Sequence, residues 1–385
     1  MKNSSRMVFD YVRLYYRALG MNELRMGIPQ PTLTPYKKFF NEYCRLLGYN
    51  PNNIGTSTRT KVAPHSARYY ELQVINWVKK LYHDKTADGY LCSGSTEGNI
   101  MGLWIGREQL SQPSFKRPIV IAHRESHNSI KKACALLGLD LLLSPSSHVF
   151  RPLDGDMILG LIPKSRSIPI IVVVTAGHTS TGLIDSVDSI ISVLKKQKRK
   201  YYIHVDAAID GIILPFLGKS KIFDFSNKDV SSITTDFHKY GGGIYPSGVF
   251  LCRKGLQKYV EQKAEYGGVI DDTLIGSRPG AIAVLLWAII VDQGKQGYRN
   301  EILDILRNKN YFLKKIQTKH VTYVHEKLSP CLYLLLPYKL PDHVEKRFRL
   351  WPTLRRHKNR NFYGYTVFFY KDTPKRLMDS LLLEL

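Results

Sequence analysis

The middle of the chain alternates short β-rich runs with stretches of helical periodicity, and this alternation constrains the fold more than any other feature. A polar or glycine-bearing turn follows each run. The runs predict strands at Arg117–Ala122, Pro169–Thr175, Tyr201–Asp206 and Val230–Thr235. Strands that alternate with helices are typical of an α/β domain with a mainly parallel sheet, and we predict that fold class.

In a sheet of this kind, ligands bind beyond the carboxyl ends of the strands. Several chemically versatile side chains end or follow the predicted strands: His123, His127, His178, Asp206 and Lys239. We therefore expect these side chains, and the binding site, to share one edge of the sheet.

Composition limits the class of protein further. With 385 residues, of which 44% are hydrophobic, the chain can bury a large core and form more than one domain. Its longest apolar run, Ala281–Val291, is far shorter than the roughly 20 residues that cross a bilayer. The first residues lack the apolar run of a signal peptide, so we expect a cytoplasmic protein without a membrane span.

The cysteines argue against both a disulfide framework and a zinc site. They are odd in number, scattered and without CxxC spacing: Cys44, Cys92, Cys134, Cys252 and Cys331. We expect buried, reduced thiols and no metal.

The formal charge of +24 raises the question of an anionic partner. The densest basic run, 195–200, closes a helical pattern over Val187–Leu194, where cations are favourable without any partner. A second basic region, Arg347–Arg360, has few helical features. We do not expect a nucleic-acid partner.

The pattern divides the chain into three parts. Residues 1–56 predict an extended N-terminal arm with one helix around Tyr36–Leu47, and residues 57–298 predict the large domain. Residues 299–385 predict a smaller α+β domain, with a helix at Glu301–Ile316, a strand at Cys331–Leu336 and a closing helix from Pro374.

Lys239 and Asp206 together predict a pyridoxal 5′-phosphate site. Lys239 follows Asp236-Phe-His238 and precedes a glycine run, where a lysine can form an imine with a carbonyl group. Asp206 closes an apolar strand, where a carboxylate can keep the ring nitrogen of the cofactor protonated.

The segment Ser93-Gly-Ser95-Thr96-Glu97-Gly-Asn99 leads into a helical stretch and predicts a phosphate cradle. Its free N–H groups, two hydroxyls and the helix dipole favour an anion. The alternative is simple capping of the helix by Ser95 or Thr96, with Glu97 in the first turn.

His123 and His127 are four residues apart, but they straddle a strand-to-helix turn without a nearby acidic ligand, so we expect no metal there. The ring of His127 could stack on a planar heterocycle, with Asn128 and Ser129 capping the next helix. In a later turn, Thr179 could donate to a cofactor oxygen or make an ordinary turn contact, and we expect Asp185 to cap the following helix.

As an ordered set, these motifs resemble the group II pyridoxal-phosphate-dependent amino acid decarboxylases, especially the histidine and serine decarboxylase branch. The resemblance runs from about Asn53 to Gly297 and rests on the motifs at 93–99, 204–208, 236–239 and Thr-Leu-Ile-Gly-Ser277-Arg-Pro-Gly. It implies a fold-type I enzyme, with a mostly parallel sheet of the seven-stranded type, that converts an L-amino acid to its amine and CO2. Histidine is the first substrate it suggests.

The resemblance also implies roles for individual residues. Lys239 would form the internal aldimine, and Asp206 would pair with the pyridinium nitrogen. His127 would stack on the ring and Ala208 would pack against its opposite face.

Ser95, Thr96 and His238 would bind the phosphate. The motif that contains Ser277 contributes to the cofactor region from a partner subunit in many relatives, so the resemblance implies a homodimer with shared active sites. The segment Tyr266–Thr273 reads as a mobile loop that could supply or shield the proton donor.

Two departures keep alternatives open. Asp236 stands where histidine decarboxylases commonly carry a small hydroxyl residue, and residues 276–280 resemble the sphingosine phosphate lyase pattern. The first alternative is thus a carbon–carbon lyase that uses the same cofactor. The second is a catalytically idle fold that binds anions or nucleic acid through its basic surface.

Overall fold

The computed structural model describes residues 26–27, 38–59, 62–63, 66–111, 113, 115–263, 270–357 and 360–385. Residues 1–25 and 28–37 of the predicted arm lie outside this part of the chain. Its described portion holds helix α1 (Phe40–Tyr49) and strand β1 (Asn52–Ile54). The helix predicted around Tyr36–Leu47 therefore extends two residues further, to Tyr49.

A seven-stranded sheet forms the centre of the molecule. Its strands are β2 (Asp88–Cys92), β3 (Ile119–Ala122), β4 (Leu141–Leu143), β5 (Ile170–Thr175), β6 (Tyr201–Asp206), β7 (Val230–Asp236) and β8 (Gly248–Cys252). They lie in the order β2-β8-β7-β6-β5-β3-β4, and within this sheet only β8 runs against the other strands. The mainly parallel sheet predicted from the β-rich runs is confirmed.

Helices cover both faces of this sheet. They are α2 (Ala67–Leu81), α3 (Ser95–Leu110), α4 (Asn128–Leu137), α5 (Gly155–Leu161), α6 (Val187–Lys196), α7 (Asp210–Phe216) and the short α8 (Phe237–Tyr240). Successive residues of β5 enter two separate cores: Val172 belongs to the core that includes residues of α2, α6 and α7, whereas Val173 belongs to the core that includes residues of α3 and α4. Burial on both faces explains why β5 reads as an unbroken apolar run.

Helix α6 has the amphipathic pattern that the sequence predicts. Its buried residues are Val187, Ile190, Ile191 and Leu194, and Lys195 and Lys196 lie in its last turn. The expectation that Asp185 caps this helix is wrong. Ser186 occupies the N-cap position, and Asp185 instead accepts hydrogen bonds from the backbone N–H groups of Leu153 and Thr175.

The C-terminal part forms a four-stranded antiparallel sheet with flanking helices. Three short strands precede it in the chain: β9 (Gln262–Lys263), β10 (Ile270–Asp271) and β11 (Ser277–Pro279). The C-terminal part itself consists of α9 (Gly280–Ile316), β12 (Thr322–Val324), β13 (Cys331–Leu336), α10 (Asp342–Phe348), β14 (Thr353–His357), β15 (Arg360–Phe368) and α11 (Lys375–Glu384). The predicted helix, strand and closing helix are all found. The basic region 347–360 ends α10 and contributes β14 and the first residue of β15.

Helix α9 passes through residue 298, where the domain boundary is predicted, and its backbone leaves helical geometry at Gly294. The boundary itself stays a prediction. Within the described ranges, none of the helices is long and apolar enough to cross a membrane. All five cysteines are free; Cys44 is exposed, which corrects the expectation of buried thiols, whereas the other four are buried.

Candidate active site

A cavity of about 350 Å³ lies beyond the carboxyl ends of the central parallel strands. Thr175, Asp206 and Asp236, the last residues of β5, β6 and β7, all line it. Its volume suits a small ligand or cofactor. All but one of the residues predicted to bind the cofactor line this cavity. They are Ser95, Thr96, His127, Thr179, Asp206, Ala208, His238 and Lys239.

The exception is Ser277, which lies in β11 and lines a second, smaller cavity with Glu97 and Arg278. Ser93 borders both cavities. Within one chain, Ser277 is thus not brought to the larger cavity. Its contribution across a subunit interface stays a prediction.

His123 and His178 follow the ends of their strands, as expected, but they do not line the cavity. Both are fully buried behind it, with ring centroids 4.4 Å apart. The Nε2 atom of His178 lies 2.8 Å from Oδ1 of Asp185. Nδ1 of His123 accepts a hydrogen bond from the backbone N–H of Glu125, so both histidines hold structural positions rather than ones that face a ligand.

The amino end of α3 opens onto the cavity. Its N-cap residue is Gly94, and no side chain caps the helix, so the alternative of capping by Ser95 or Thr96 is wrong. Gly94 has φ of 147°, and a Cβ atom there would meet Cε1 of His238 at 2.7 Å. Only glycine therefore allows the turn to approach His238, and the N–H groups of this helix end that follow Ser95 can hold an anion.

Asp236 connects this turn to the lysine. Its Oδ1 accepts hydrogen bonds from the backbone N–H of Ser95 at 2.6 Å and the Ser95 hydroxyl at 2.9 Å. Its Oδ2 lies 3.1 Å from Nζ of Lys239 and 3.4 Å from Nε2 of His238. Burial alone would raise the pKa of Asp236, but the neighbouring Lys239 and His238 outweigh it and hold that pKa well below its usual value.

Asp206 and His127 occupy a second side of the cavity. Asp206 is 3% exposed, and its Oδ2 accepts a hydrogen bond of 2.9 Å from Nδ2 of Asn99. His127 takes the N-cap position of α4 that was predicted for Asn128 and Ser129, and its Nδ1 accepts from the backbone N–H of Ser129. Burial lowers the pKa of His127, so its ring is neutral at pH 7.

Sequence reasoning missed Tyr245, which lines the cavity and packs against His238 with ring centroids 4.3 Å apart and the two rings tilted by 33°. The signal available was an aromatic residue two positions after the glycine run and directly before Pro246. The first four residues of the predicted loop 266–273 lie outside the described ranges, which omit residues 264–269. Of the remaining residues, Ile270 and Asp271 form β10.

An ion pair links the C-terminal sheet to two loops of the site. Nη2 of Arg355, in β14, lies 2.7 Å from Oε2 of Glu125, and the Ser180 hydroxyl donates to the same oxygen at 2.8 Å. Glu125 precedes His127 by two residues, and Ser180 follows Thr179. The C-terminal sheet thereby contacts both loops that carry predicted cofactor residues.

The donor set in the cavity fits pyridoxal phosphate. It combines an amine, a buried carboxylate at the end of a central strand and a free helix end with hydroxyls for a phosphate. With the seven-stranded sheet, these features define the class of fold-type I pyridoxal-phosphate enzymes. Residues 52–329 match the pyridoxal-dependent decarboxylase conserved domain, and the chain belongs to that family.

Individual relatives support this assignment. The chain is 28% identical to tryptophan decarboxylase of Clostridium sporogenes over 89% of its own length and 84% of that enzyme. It is also 28% identical to serine decarboxylase 1 of Oryza sativa, over 74% of its own length and 58% of that longer protein.

Among solved structures, L-methionine decarboxylase from Streptomyces sp. 590 superimposes with a TM-score of 0.84 at 19% identity, covering 99% of this chain and 94% of that one. Sphingosine-1-phosphate lyase of Burkholderia pseudomallei superimposes with a TM-score of 0.81 at 18% identity, covering 99% and 89%. At these identities the likeness concerns the fold alone.

Proposed function

We propose that this protein decarboxylates an L-amino acid with pyridoxal 5′-phosphate held in the larger cavity, and that histidine is the first substrate to test. One observation carries the proposal. Lys239, Asp206 and the free amino end of α3 line the same cavity at the carboxyl edge of the sheet.

Each residue has a distinct task in this proposal. When bound, the cofactor supplies an electron-accepting ring that makes loss of CO2 from the amino acid possible. The Lys239 amine attaches the cofactor covalently, and the Asp206 carboxylate holds a proton at the ring nitrogen. The ring of His127 and the methyl group of Ala208 would limit the space on the two faces of the cofactor.

The amino end of α3 would hold the phosphate, where Ser95, Thr96 and His238 line the wall. Thr179 lies in the wall as well and can donate a hydrogen bond to the cofactor. In this proposal Lys239, His127 and Asp206 are the catalytic residues, and the other residues of the cavity wall bind the cofactor.

Binding and attachment of the cofactor are tested first. Titration of the cofactor-free protein with pyridoxal phosphate should produce a visible absorbance band, and Lys239→Ala should abolish it. Borohydride treatment followed by peptide mass spectrometry should place the cofactor on Lys239. Lys258→Ala, which changes an exposed lysine outside the cavity, serves as the matched control. A wild-type protein that gains no band contradicts the proposal.

The substrate is tested by a screen of the common amino acids for CO2 and amine. A carbon–carbon lyase is the second candidate, because Asp236 precedes the lysine by three residues and contacts it directly. If no amino acid yields CO2 while a phosphorylated amino alcohol yields an aldehyde, the lyase is the right assignment.

We propose further that the protein is a homodimer whose partner contributes Ser277 to the cofactor site. Two inactive variants, Lys239→Ala and Ser277→Trp, then complement each other, because one site of the mixed dimer is intact. Failure of the mixture to recover activity, with dimers present by light scattering, contradicts shared sites.

A further inference from the structure

The side-chain amide of Asn99 lies behind the cavity wall, at the centre of a buried hydrogen-bond network. Asn99 is fully buried in the second turn of α3 and does not line the cavity. Its Nδ2 lies 2.9 Å from Oδ2 of Asp206 and 2.8 Å from Oγ of Ser129. Its Oδ1 lies 2.8 Å from Nε2 of His204.

Asp206 fixes which way this amide faces, because a carboxylate only accepts and Nδ2 must therefore point to it, which leaves Oδ1 for His204. Burial lowers the pKa of His204 to about 3, so the ring is neutral and carries one proton. Because the Asn99 carbonyl oxygen can only accept, that proton resides on Nε2 and is donated to it. The Nδ1 atom, 2.7 Å from Oγ of Ser232, then accepts from that hydroxyl. The two hydrogens of the Asn99 amide are then left for Asp206 and Ser129.

The second of these hydrogens sets the state of His127. Since the Ser129 hydroxyl oxygen accepts from Asn99, its own hydrogen is free for Nδ1 of His127, which lies 2.9 Å away. The same nitrogen also accepts from the Ser129 backbone N–H at 3.3 Å. The neutral imidazole must then carry its proton on Nε2.

We propose that Asn99 is the positioning residue of this site, which orients the Asp206 carboxylate toward the ring nitrogen of the cofactor and, through Ser129, fixes the tautomer of His127. The inference rests on the proposed function, since it takes Asp206 as the partner of the ring. An amide suits the task because it donates to the carboxylate without adding charge. Removal of the amide leaves a buried carboxylate oxygen without its donor.

The test compares two ligands of the cofactor-free protein: pyridoxal phosphate and its analogue in which CH replaces the ring nitrogen. Asn99→Ala should weaken binding of pyridoxal phosphate about tenfold or more, the cost of a lost hydrogen bond to a charged group. It should leave the affinity for the analogue close to that of the wild type, because the analogue offers Asp206 no N–H. Equal losses for both ligands, or no loss for either, overturn the proposal.

Ser129→Ala is the matched control, since it removes the branch to His127 and leaves the bond between Asn99 and Asp206 in place. We expect it to change the affinity for both ligands by the same factor. If Asn99→Ala does not fold, Asn99→Leu, which is close to asparagine in shape and has no hydrogen-bond donor, is measured instead; it should lose affinity for pyridoxal phosphate selectively, because Asp206 again lacks its donor.

Because the readout is binding, this test is separable from the reaction. A wild-type protein that binds pyridoxal phosphate and releases no CO2 contradicts the proposed activity, and the selective loss in Asn99→Ala would still establish the positioning role. A wild-type protein that binds neither ligand overturns both proposals.

Discussion

The Nζ atom of Lys239 lies 3.1 Å from Oδ2 of Asp236, and the other oxygen of that carboxylate accepts two hydrogen bonds from Ser95. One buried carboxylate thus contacts both the proposed attachment residue and the proposed phosphate cradle. Asp236 ends β7, and Ser95 begins α3, so the hydrogen bonds from Ser95 also tie the central strand to this helix. The arrangement makes Asp236 a determinant of stability and of cofactor binding at the same time.

We predict that Asp236→Asn lowers the free energy of unfolding of the cofactor-free protein by about 3 kcal/mol at pH 7, as expected when one partner of a buried ion pair is removed. Since the folded-state pKa of Asp236 is depressed, its contribution is present above the ordinary pKa and is lost as the pH falls through the folded value. Urea unfolding at pH 7 and pH 3 should show the difference between the two proteins shrinking in acid.

The control for this measurement is Asp156→Asn, since Asp156 is exposed in α5. It should change the free energy of unfolding by less than about 0.5 kcal/mol at either pH. A difference between wild type and Asp236→Asn that stays constant from pH 7 to pH 3 would contradict the ion pair.

His204 should make stability fall in mild acid. Because burial lowers its folded-state pKa to about 3, only the unfolded chain binds a proton below the ordinary pKa of about 6.5. Between pH 6.5 and 4.5, this costs about 2.3 kcal/mol of the free energy of unfolding, because the unfolded side chain is already half protonated at pH 6.5. His204→Gln removes the titrating group, so its unfolding free energy should decline less over this interval. Parallel pH profiles for the two proteins would refute the buried neutral ring.

Ala208 should control access to one face of the bound cofactor. It is half-buried in the cavity wall, two residues after the end of β6. Ala208→Leu adds three carbon atoms to the wall and should abolish the visible band produced by pyridoxal phosphate. Ala208→Ser, which is close to alanine in size, should retain it. Thermal melting of both variants checks that the fold is intact, and a full-strength band in the leucine variant would place the ring elsewhere.

Gly94 should resist substitution. A side chain there meets His238 in a backbone conformation that L residues rarely adopt, and such strain costs about 1–3 kcal/mol. We expect Gly94→Ala to lose that much stability and to bind pyridoxal phosphate more weakly. Gly160→Ala is the control, because a Cβ atom at that helical position meets nothing within 4 Å. Equal stability of the two variants would argue against a strained turn.

The inner parallel strands β3, β5, β6 and β7 were predictable because they are largely buried on both faces and therefore read as continuous β-rich runs, as in Ile170–Thr175. The binding site could then be predicted at the carboxyl ends of these strands. The edge strand Leu141–Leu143 was not predicted, since three residues carry too little periodicity to separate a strand from a helix. The hairpin of β14 and β15 was not predicted either, because its charged residues produce neither the hydrophobic alternation of a strand nor the periodicity of a helix.

At the site, residues with one recognisable chemical task were predicted, such as Lys239 at the glycine run. The network behind them was not. Asn99 reads as the end of a phosphate-binding turn, and His204 reads as one polar residue within a strand. Their contact joins α3 to β6 across a sequence separation of 105 residues, and no local pattern encodes such a pairing. The fully buried positions of His123 and His178 escaped prediction for the same reason.

The ion pair between Arg355 and Glu125 should couple the C-terminal sheet to the loop that carries His127. Both side chains are largely shielded from solvent, and the Ser180 hydroxyl shares the same carboxylate oxygen. In a double-mutant cycle with Arg355→Met and Glu125→Gln, we expect a coupling energy of about 1–2 kcal/mol in the free energy of unfolding. Each single variant should also weaken binding of pyridoxal phosphate, because the loop before α4 loses an anchor.

The control is a second double-mutant cycle on an exposed ion pair, with Lys339→Met and Asp342→Asn. It should show almost no coupling energy. Additive effects of the Arg355 and Glu125 changes would mean that the sheet and the loop are energetically independent.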